Sequence, residues 1–376
     1  MPESKNHFIG FLPEDKRKIL GLTDETSYPF LPILINFSVF SLNIINGIKN
    51  NFSSYAFLFD FDDKKIAETL FYPGFSAKIE QIGASLVDSY RFFNTSILSY
   101  ISTRKIEDND YISFIPCNIN YFWTTDFEKL NENCYLLKFN ENDSFGFIIK
   151  VKYLKFILEK EKIEHFNKLM EFFLSNIKLN IDLKEEFSFK IANLKDFLEF
   201  HLLLFGNFEL ISFINKISNY FEKMGETVIS KEAEVINSYI GYNTVIRGKV
   251  EDSIIFNDVI ILNDTHIQNS IILPGNVLAK GVKVKNTIIG SNKNSLKDIT
   301  IGPSTRIGFP SHSNLKNVVY ENELPEGYTL IGNNILLPGG INIGKNCVLR
   351  GNINILELKK MKTLVDGGTF EQDSNI

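Results

Sequence analysis

Chemistry in this chain would have to come from a small set of side chains. The stretch YISFIPCNINYF (111–122) reads as one buried strand, stopped by Pro116 and running into a loop. Its carboxyl end is where α/β proteins build their sites, and here that end carries a thiol and an amide, Cys117 and Asn118. Acidic groups stand near another strand end in FDFDDKK (59–65), as Asp60, Asp62 and Asp63, and Asp126 lies just beyond the 111–122 stretch. Carboxylates so placed could hold a metal ion, although a solvated turn is the plainer reading of 59–65. Cys117, Cys134 and Cys347 are widely spaced and form no Cys-x-x-Cys pair. That pattern argues against a zinc site or a disulfide framework and fits a reducing, cytoplasmic setting.

The elements that must position these groups change character near residue 227. Before it, strand-like runs (55–61, 111–116) alternate with runs of helical spacing (153–177, 194–205), which predicts an α/β region with a mostly parallel sheet. Residues 208–224 read as a connecting helix. The uncharged segment 26–48 is long enough to cross a bilayer, but Pro29, Pro32 and three asparagines interrupt it, so it is read as buried globular chain. The 376 residues predict two or three domains, and a net charge of −5 with no basic stripe argues against nucleic acid as a partner.

After residue 227 a repeat takes over: VINSYI, VEDSII, IQNSII and VKNTII begin at Val235, Val250, Ile267 and Val284, 15, 17 and 17 residues apart. A looser copy, LKNVVY, begins at Leu315. Valine or isoleucine every five or six residues marks a hexapeptide β-helix, in which equivalent inward residues stack from coil to coil. Asn237, Asp252, Asn269 and Asn286 recur in register and are expected to form one corner column, where turns need local hydrogen bonds or a permissive backbone. The insertion 291–314 reads as an extra coil with a projecting loop, and 365–376 as a polar, disordered tail. Because many acyltransferases use a hexapeptide helix and a histidine base, His266 and His312 are candidates for that chemistry.

An α/β region, a helix and a hexapeptide β-helix form a layout that resembles the sugar-1-phosphate nucleotidyltransferases, and within them the ADP-glucose pyrophosphorylase (glucose-1-phosphate adenylyltransferase) family. The similarity is firmest in GKVEDSIIFNDV (248–259), QNSIILPGNVLAKGVKVKNTIIG (268–290) and LPEGYTLIGNN (324–334). KILGLTDETSYPFLPI (18–33) resembles the stretch that follows the family's glycine-rich loop. FSFKIANLKDFLEFHLLLF (187–205) resembles its later aspartate-bearing segment, through Ile191, Asp196, Phe197 and Leu198. The resemblance implies a nucleotidyltransferase-like (GT-A or Rossmann-like) domain over 1–206, a linker helix over 207–226, a left-handed parallel β-helix over 227–358 and a partly disordered tail over 359–376.

The family's chemistry does not carry over residue by residue. The loop that should cradle phosphate is GFLPEDKRK (10–18), with Gly10 its only glycine, Pro13 lacking an N–H, and Glu14 and Asp15 repelling an anion. The two metal-holding aspartates fall on Asn118 and Lys190, and the sugar-phosphate lysine falls on Tyr28. A neutral amide brings no charge to a dication, and an ammonium would repel it, by about 4 kcal/mol per unit charge at about 4 Å. Lys18 and Lys190 remain as candidate phosphate contacts.

These departures resemble the catalytically degenerate, GlgD-type regulatory subunits of the family. They imply a chain without metal or other cofactor that forms a homo-oligomer, or a hetero-oligomer with an active pyrophosphorylase, and takes a nucleotide or sugar-phosphate effector; nucleic acid and membrane are not expected partners. The alternatives are an active Mg²⁺-dependent enzyme using Asp60, Asp62, Asp63 or Asp126, a phosphate-ligand sensor without catalysis, and a hexapeptide acyltransferase.

Overall fold

The computed structural model describes the chain except for residues 1–3, 12–17, 25–27, 36, 60–84, 89–92, 120, 126, 128–129, 140–144, 162, 164, 178, 182, 219–224, 293–297, 311–314 and 373–376. The chain divides into two compact units. The first comprises residues 1–15, 39–189 and 216–221; the second comprises 16–38, 190–215 and 222–376.

The first unit is built on a seven-stranded sheet. Its strands are β1 (Asn6–Phe11), β2 (Ser54–Phe59), β3 (Ser85–Asp88), β4 (Tyr111–Pro116), β6 (Cys134–Lys138), β7 (Phe145–Lys150) and β8 (Asn180–Ile181), while β5 (Tyr121–Thr124) and β9 (Lys184–Ser188) form a separate antiparallel pair. The order in the large sheet is β8-β6-β7-β4-β1-β2-β3. Pairing is parallel except where β7 lies antiparallel to both β4 and β6. A sheet of this kind is covered on both faces, and its central strands therefore read as nearly continuous apolar runs. All six residues of β4 are buried.

Alternation along the strands divides the phenylalanines between the two faces. Ile9, Phe11, Phe114 and Phe147 face helices α2 (Phe93–Thr103), α3 (Val151–Lys160) and α4 (Phe166–Asn176), whose Phe93, Leu154, Phe166 and Phe173 complete that core. The Phe114 and Phe147 rings stack at 4.7 Å, and Phe147 meets Phe173 at 4.2 Å. Phe8, Phe57 and Tyr55 point the other way, toward Phe40 on helix α1 (Val39–Lys49) and toward Phe52. The helical run 153–177 is two helices: α3 ends at Lys160 and α4 starts at Phe166. The uncharged segment 26–48 contains a 3₁₀ turn (Tyr28–Phe30), a two-residue hairpin (Pro32–Ile33 with Phe37–Ser38) and most of α1. No single helix among the described residues is long and apolar enough to cross a membrane.

The second unit is a parallel β-helix with three sheets. One has four strands, from Val228–Ile229 to Val277–Leu278, and is prolonged by bridges through Ile301 to Leu337. The other two have seven strands each and run to Thr363–Leu364 and to Thr369–Gln372. Ile246, Val250, Ile255, Ile261, Ile267, Ile272, Leu278, Val284 and Ile289 stack inward as the repeat predicts. The corner column forms as expected. Asn237, Asp252, Asn269 and Asn286 all have φ between 41° and 46°, a left-handed conformation that asparagine and aspartate tolerate better than most residues. Asn237 Nδ2 donates to Asp252 Oδ1 at 2.7 Å, and Asn269 Nδ2 to Asn286 Oδ1 at 2.8 Å. A second column stands beside it: the hydroxyls of Ser238, Ser253 and Ser270 accept from the backbone N–H of Ser253, Ser270 and Thr287, each at 3.1 Å.

Two expectations for this unit need correcting. LKNVVY forms no coil strand; Val318 and Val319 are 83% and 56% exposed, and the strand pairing with Thr287–Ile289 is Thr329–Ile331. The cause is Asn317, which is buried and donates through Nδ2 to Asn346 O and Thr369 Oγ1 while its Oδ1 accepts from the N–H of Val319 and Tyr320. These bonds anchor the segment at Asn317, and Val318 and Val319 lie on the surface beside it. Residues 365–372 are also not a free tail, because Thr369–Gln372 pairs in parallel with Val348–Gly351 and closes the last coil, while 373–376 lie outside the described residues.

The described residues of 18–38, read from sequence as part of the α/β region, pack within the second unit. Asn333 Nδ2 donates to Leu22 O at 2.6 Å, the Asn333 N–H donates to Gly21 O at 3.0 Å, and Arg350 Nε donates to Asp24 Oδ2 at 2.8 Å. Gly21 has φ +69°, and a Cβ there would lie 2.8 Å from Leu330. Helix α5 (Leu194–Leu202) packs there as well, with His201 between Phe197 at 4.3 Å and Phe256 at 5.5 Å.

Candidate functional site

The carboxyl ends of the central strands β1 and β4 lie side by side, with Gly10 opposite Ile115 and Phe11 opposite Pro116. The next residue, Cys117, donates its backbone N–H to Phe11 O at 2.7 Å. Its side chain fills the space that a Cβ on Gly10 would need: that atom would lie 2.6 Å from Cys117 Sγ and 2.8 Å from the Phe57 ring. The lone glycine of the 10–18 loop therefore serves packing at this position. Burial pushes the Cys117 thiol well above the usual range and outweighs the hydrogen bond involving Phe11. A thiol held protonated is a poor nucleophile and a poor metal ligand.

Asn118 follows in the turn after β4 and is 6% exposed. The chain beyond it is held by three asparagines of the α1 region. Asn43 Nδ2 donates to Ile119 O at 3.0 Å, Asn46 Oδ1 accepts from Trp123 N at 3.0 Å, and Asn50 accepts from Thr125 N at 3.3 Å while donating to Trp123 O at 3.1 Å. Positions 43, 46 and 50 share one helical face. Two of them are among the asparagines that interrupt the uncharged segment, and their i, i+3, i+7 spacing was the available signal for a polar seam. Each of these amides satisfies backbone groups that would otherwise be buried without partners.

The antiparallel pair β5–β9 is fastened by Glu186, which forms ion pairs with Lys49 and, at 3.2 Å, with Lys216. Lys49 Nζ also stands over the Phe122 ring at 4.9 Å. Partial burial pushes the Glu186 carboxyl up, but the hydrogen bonds and charges of Lys49 and Lys216 prevail and hold it below the usual carboxylate range.

In the second unit, Lys18 and Lys190 are exposed, while Tyr28 is fully buried in its 3₁₀ turn. Asp196 takes part in capping α5: its Oδ2 accepts from Ala192 N at 2.9 Å, and Asn193 Oδ1 accepts from Asp196 N at 2.9 Å. His266 lies on an outward strand face with Nε2 2.8 Å from Glu251 Oε2. Asp60, Asp62, Asp63, Asp126 and His312 lie outside the described residues, as do Pro13, Glu14 and Asp15 of the loop.

A cluster not anticipated from sequence lies at the opposite, amino end of the first unit's sheet. His7 Nδ1 is 2.7 Å from Ser54 Oγ, and His7 Nε2 is 3.3 Å from Asp110 Oδ2. The serine is 8% exposed and shares its hydroxyl with Tyr100 OH at 2.7 Å, so it has no open face for a substrate. Asp110 also accepts from the backbone N–H of Lys5 and Glu107, which makes the group a pin between β1, β2 and the turn entering β4. Burial holds the His7 imidazole below its usual pKa, against the opposing pull of Asp110.

A metal ion held at the end of β4 would need carboxylate oxygens, since Mg²⁺ relies on one or two of them together with phosphate oxygens. A buried neutral amide at 118 does not fit that requirement. No group of three or more His, Cys, Asp or Glu side chains suited to a metal occurs among the described residues.

Fold and site together describe a mostly parallel α/β region followed by a hexapeptide β-helix. The family description "GlmU-like, C-terminal hexapeptide" matches residues 223–322. Two glucose-1-phosphate adenylyltransferases of Desulfitobacterium hafniense, from strains DSM 10664 / DCB-2 and Y51, are each 30% identical over 112 residues, covering 30% of this chain. The chain spans a quarter (25%) of the length of these relatives in that match.

Proposed function

We propose that this chain is a catalytically degenerate homologue of the sugar-1-phosphate nucleotidyltransferases. It serves as a regulatory or structural subunit of an ADP-glucose-type pyrophosphorylase, in glycogen-type glucan synthesis in the cytoplasm. The observation that carries the reading is the buried amide of Asn118 at the end of the central strand, where a resident carboxylate would be needed to hold Mg²⁺. Similarity to glucose-1-phosphate adenylyltransferases over 112 residues supports the family side of the reading. On this view the chain uses no cofactor and associates with a catalytically competent pyrophosphorylase or with itself.

The test is direct. Purified chain, with Mg²⁺, ATP or another nucleoside triphosphate and a panel of sugar 1-phosphates, should release no pyrophosphate. When isolated from its native cells it should carry a pyrophosphorylase activity that it lacks alone. Clear turnover by the purified chain would refute the degenerate reading and favour an active enzyme with a rearranged site.

A second reading, ligand sensing without catalysis, draws on the exposure of Lys18 and Lys190. It predicts that Lys18→Ala or Lys190→Ala weakens any stabilisation by nucleotides or sugar phosphates in a thermal-shift assay. Unchanged shifts in both variants would remove it.

A further inference from the structure

One outward face of the β-helix carries an unbalanced charge ladder. On the sheet that starts with Glu234–Ile236, the residues in register from coil to coil are Glu234, Lys249, His266, Lys283 and Arg306. Two positions further along the same strands stand Glu251, Gln268 and Lys285. The first coils are balanced. Lys249 pairs with Glu234 at 3.2 Å and with Glu251 at 2.8 Å, and Glu251 also meets His266 at 2.8 Å. Beyond His266 the carboxylates stop. Lys283, Lys285 and Arg306 have no ion-pair partner among the described residues, and the residue in register after Arg306 is the neutral Asn342.

The inward residues between them, Val284 and Ile307, are buried, so all three cations project from the same face. Neighbouring strands are about 4.8 Å apart, and like charges directly opposite one another destabilise a sheet. Lys283 and Arg306 are such a pair. Arg306 is held over the Phe309 ring at 4.7 Å, and Gly308, at φ +77°, lets the backbone pass close to the Lys285 carbonyl, where a Cβ would collide with it. An arginine fork and two ammonium groups on one outward face, with no carboxylate partner among the described residues, match the oxygens of a phosphate group better than a single carboxylate.

We propose that Lys283, Lys285 and Arg306 form a binding site on the β-helix for a small multivalent phosphate anion, either a free phosphate species or the phosphate or diphosphate of a metabolite. The site does not depend on the nucleotidyltransferase reading and is distinct from Lys18 and Lys190.

The experiment titrates the full chain at low salt with inorganic pyrophosphate, inorganic phosphate and a simple phosphate monoester, by calorimetry and by thermal shift. Saturable binding of pyrophosphate is expected, weaker in high salt. Lys283→Gln and Arg306→Gln should each weaken it by about tenfold, the loss of one charge-assisted contact. Lys280→Gln, which removes a partner of Asp264 at 3.3 Å, should leave it unchanged. Without ligand, Lys283→Gln should also melt higher than the parent, because it relieves the like-charge contact, and should gain less from pyrophosphate. A monoester bound with the same sensitivity to Lys283→Gln would assign the site to an esterified phosphate; pyrophosphate alone would assign it to the free species. Absence of saturable binding at millimolar pyrophosphate would overturn the proposal, as would equal affinity in the ladder variants. Tighter binding of a short oligonucleotide with the same dependence on Arg306 would overturn the small-anion assignment.

Discussion

Placing alanine at Gly10 tests whether Cys117 is a packing residue. A Cβ at position 10 would stand 2.6 Å from Cys117 Sγ and 2.8 and 2.9 Å from two atoms of the Phe57 ring. Favourable carbon contacts lie at about 3.5–4.0 Å, so the new methyl overlaps its neighbours by roughly 1 Å on two sides. Both neighbours are fully buried, Cys117 at 0% and Phe57 at 1% exposure, and neither is the free end of a flexible chain. Overpacking of this kind costs about 1–3 kcal/mol, and Gly10→Ala belongs at the upper end. Cys117→Ala alone should cost about 1 kcal/mol for lost contacts. The double variant removes one of the two clashes, so it should be more stable than the sum of the single effects by about 1 kcal/mol. The assay is denaturant unfolding followed by the fluorescence of Trp123, the only tryptophan, which is fully buried in the first unit. A Gly10→Ala chain within about 0.5 kcal/mol of the parent, or strict additivity in the double variant, would refute the packing account.

Asn118→Asp places a carboxyl at 6% exposure, where burial raises its folded pKa above the unfolded value of about 3.9. The variant should therefore match the parent in acid and lose stability as pH rises through and beyond that value, by about 1.4 kcal/mol for each unit of the shift; a pH-independent difference in Trp123-monitored unfolding would contradict this. All three cysteines are buried, with burial holding Cys117 and Cys134 far above the usual thiol range and pushing Cys347 up to about 11. A thiol-labelling reagent should therefore react slowly with the native chain and with all three cysteines once it is unfolded. Val318→Ser should change stability by less than about 0.5 kcal/mol because the side chain is 83% exposed. Ile288→Ser, at a fully buried strand position, should cost at least about 2 kcal/mol in denaturant unfolding followed by far-ultraviolet circular dichroism, which reports on the β-helix as Trp123 does not.

Sequence alone determined what repeats at short range. The period of 15 and 17 residues predicts the coils, and the asparagine and aspartate at the same phase of four repeats predict the left-handed corner at Asn237, Asp252, Asn269 and Asn286. The apolar run closed by Pro116 predicts a buried strand, since a strand covered on both faces needs no alternation. Each of these follows from a few neighbouring residues. Tertiary structure decided the rest. Apolar residues at 153–177 are compatible with one helix, and only the structure shows α3 ending at Lys160 and α4 starting at Phe166. LKNVVY has the letters of a repeat, yet Asn317 finds partners at Asn346 and Thr369 that no local pattern reveals, and the valines turn outward. Leu22 meets Asn333 across 311 residues of chain, which is how a segment that follows β1 comes to pack with the β-helix. The fit of Cys117 against Gly10 likewise depends on β1 lying beside β4, a strand order that hydrophobic pattern leaves open because every central strand of such a sheet carries the same kind of residues. Residue type at 118 could be read from the sequence; that its amide is buried beside a seam of asparagines could not, because burial is a property of what the rest of the chain places around it.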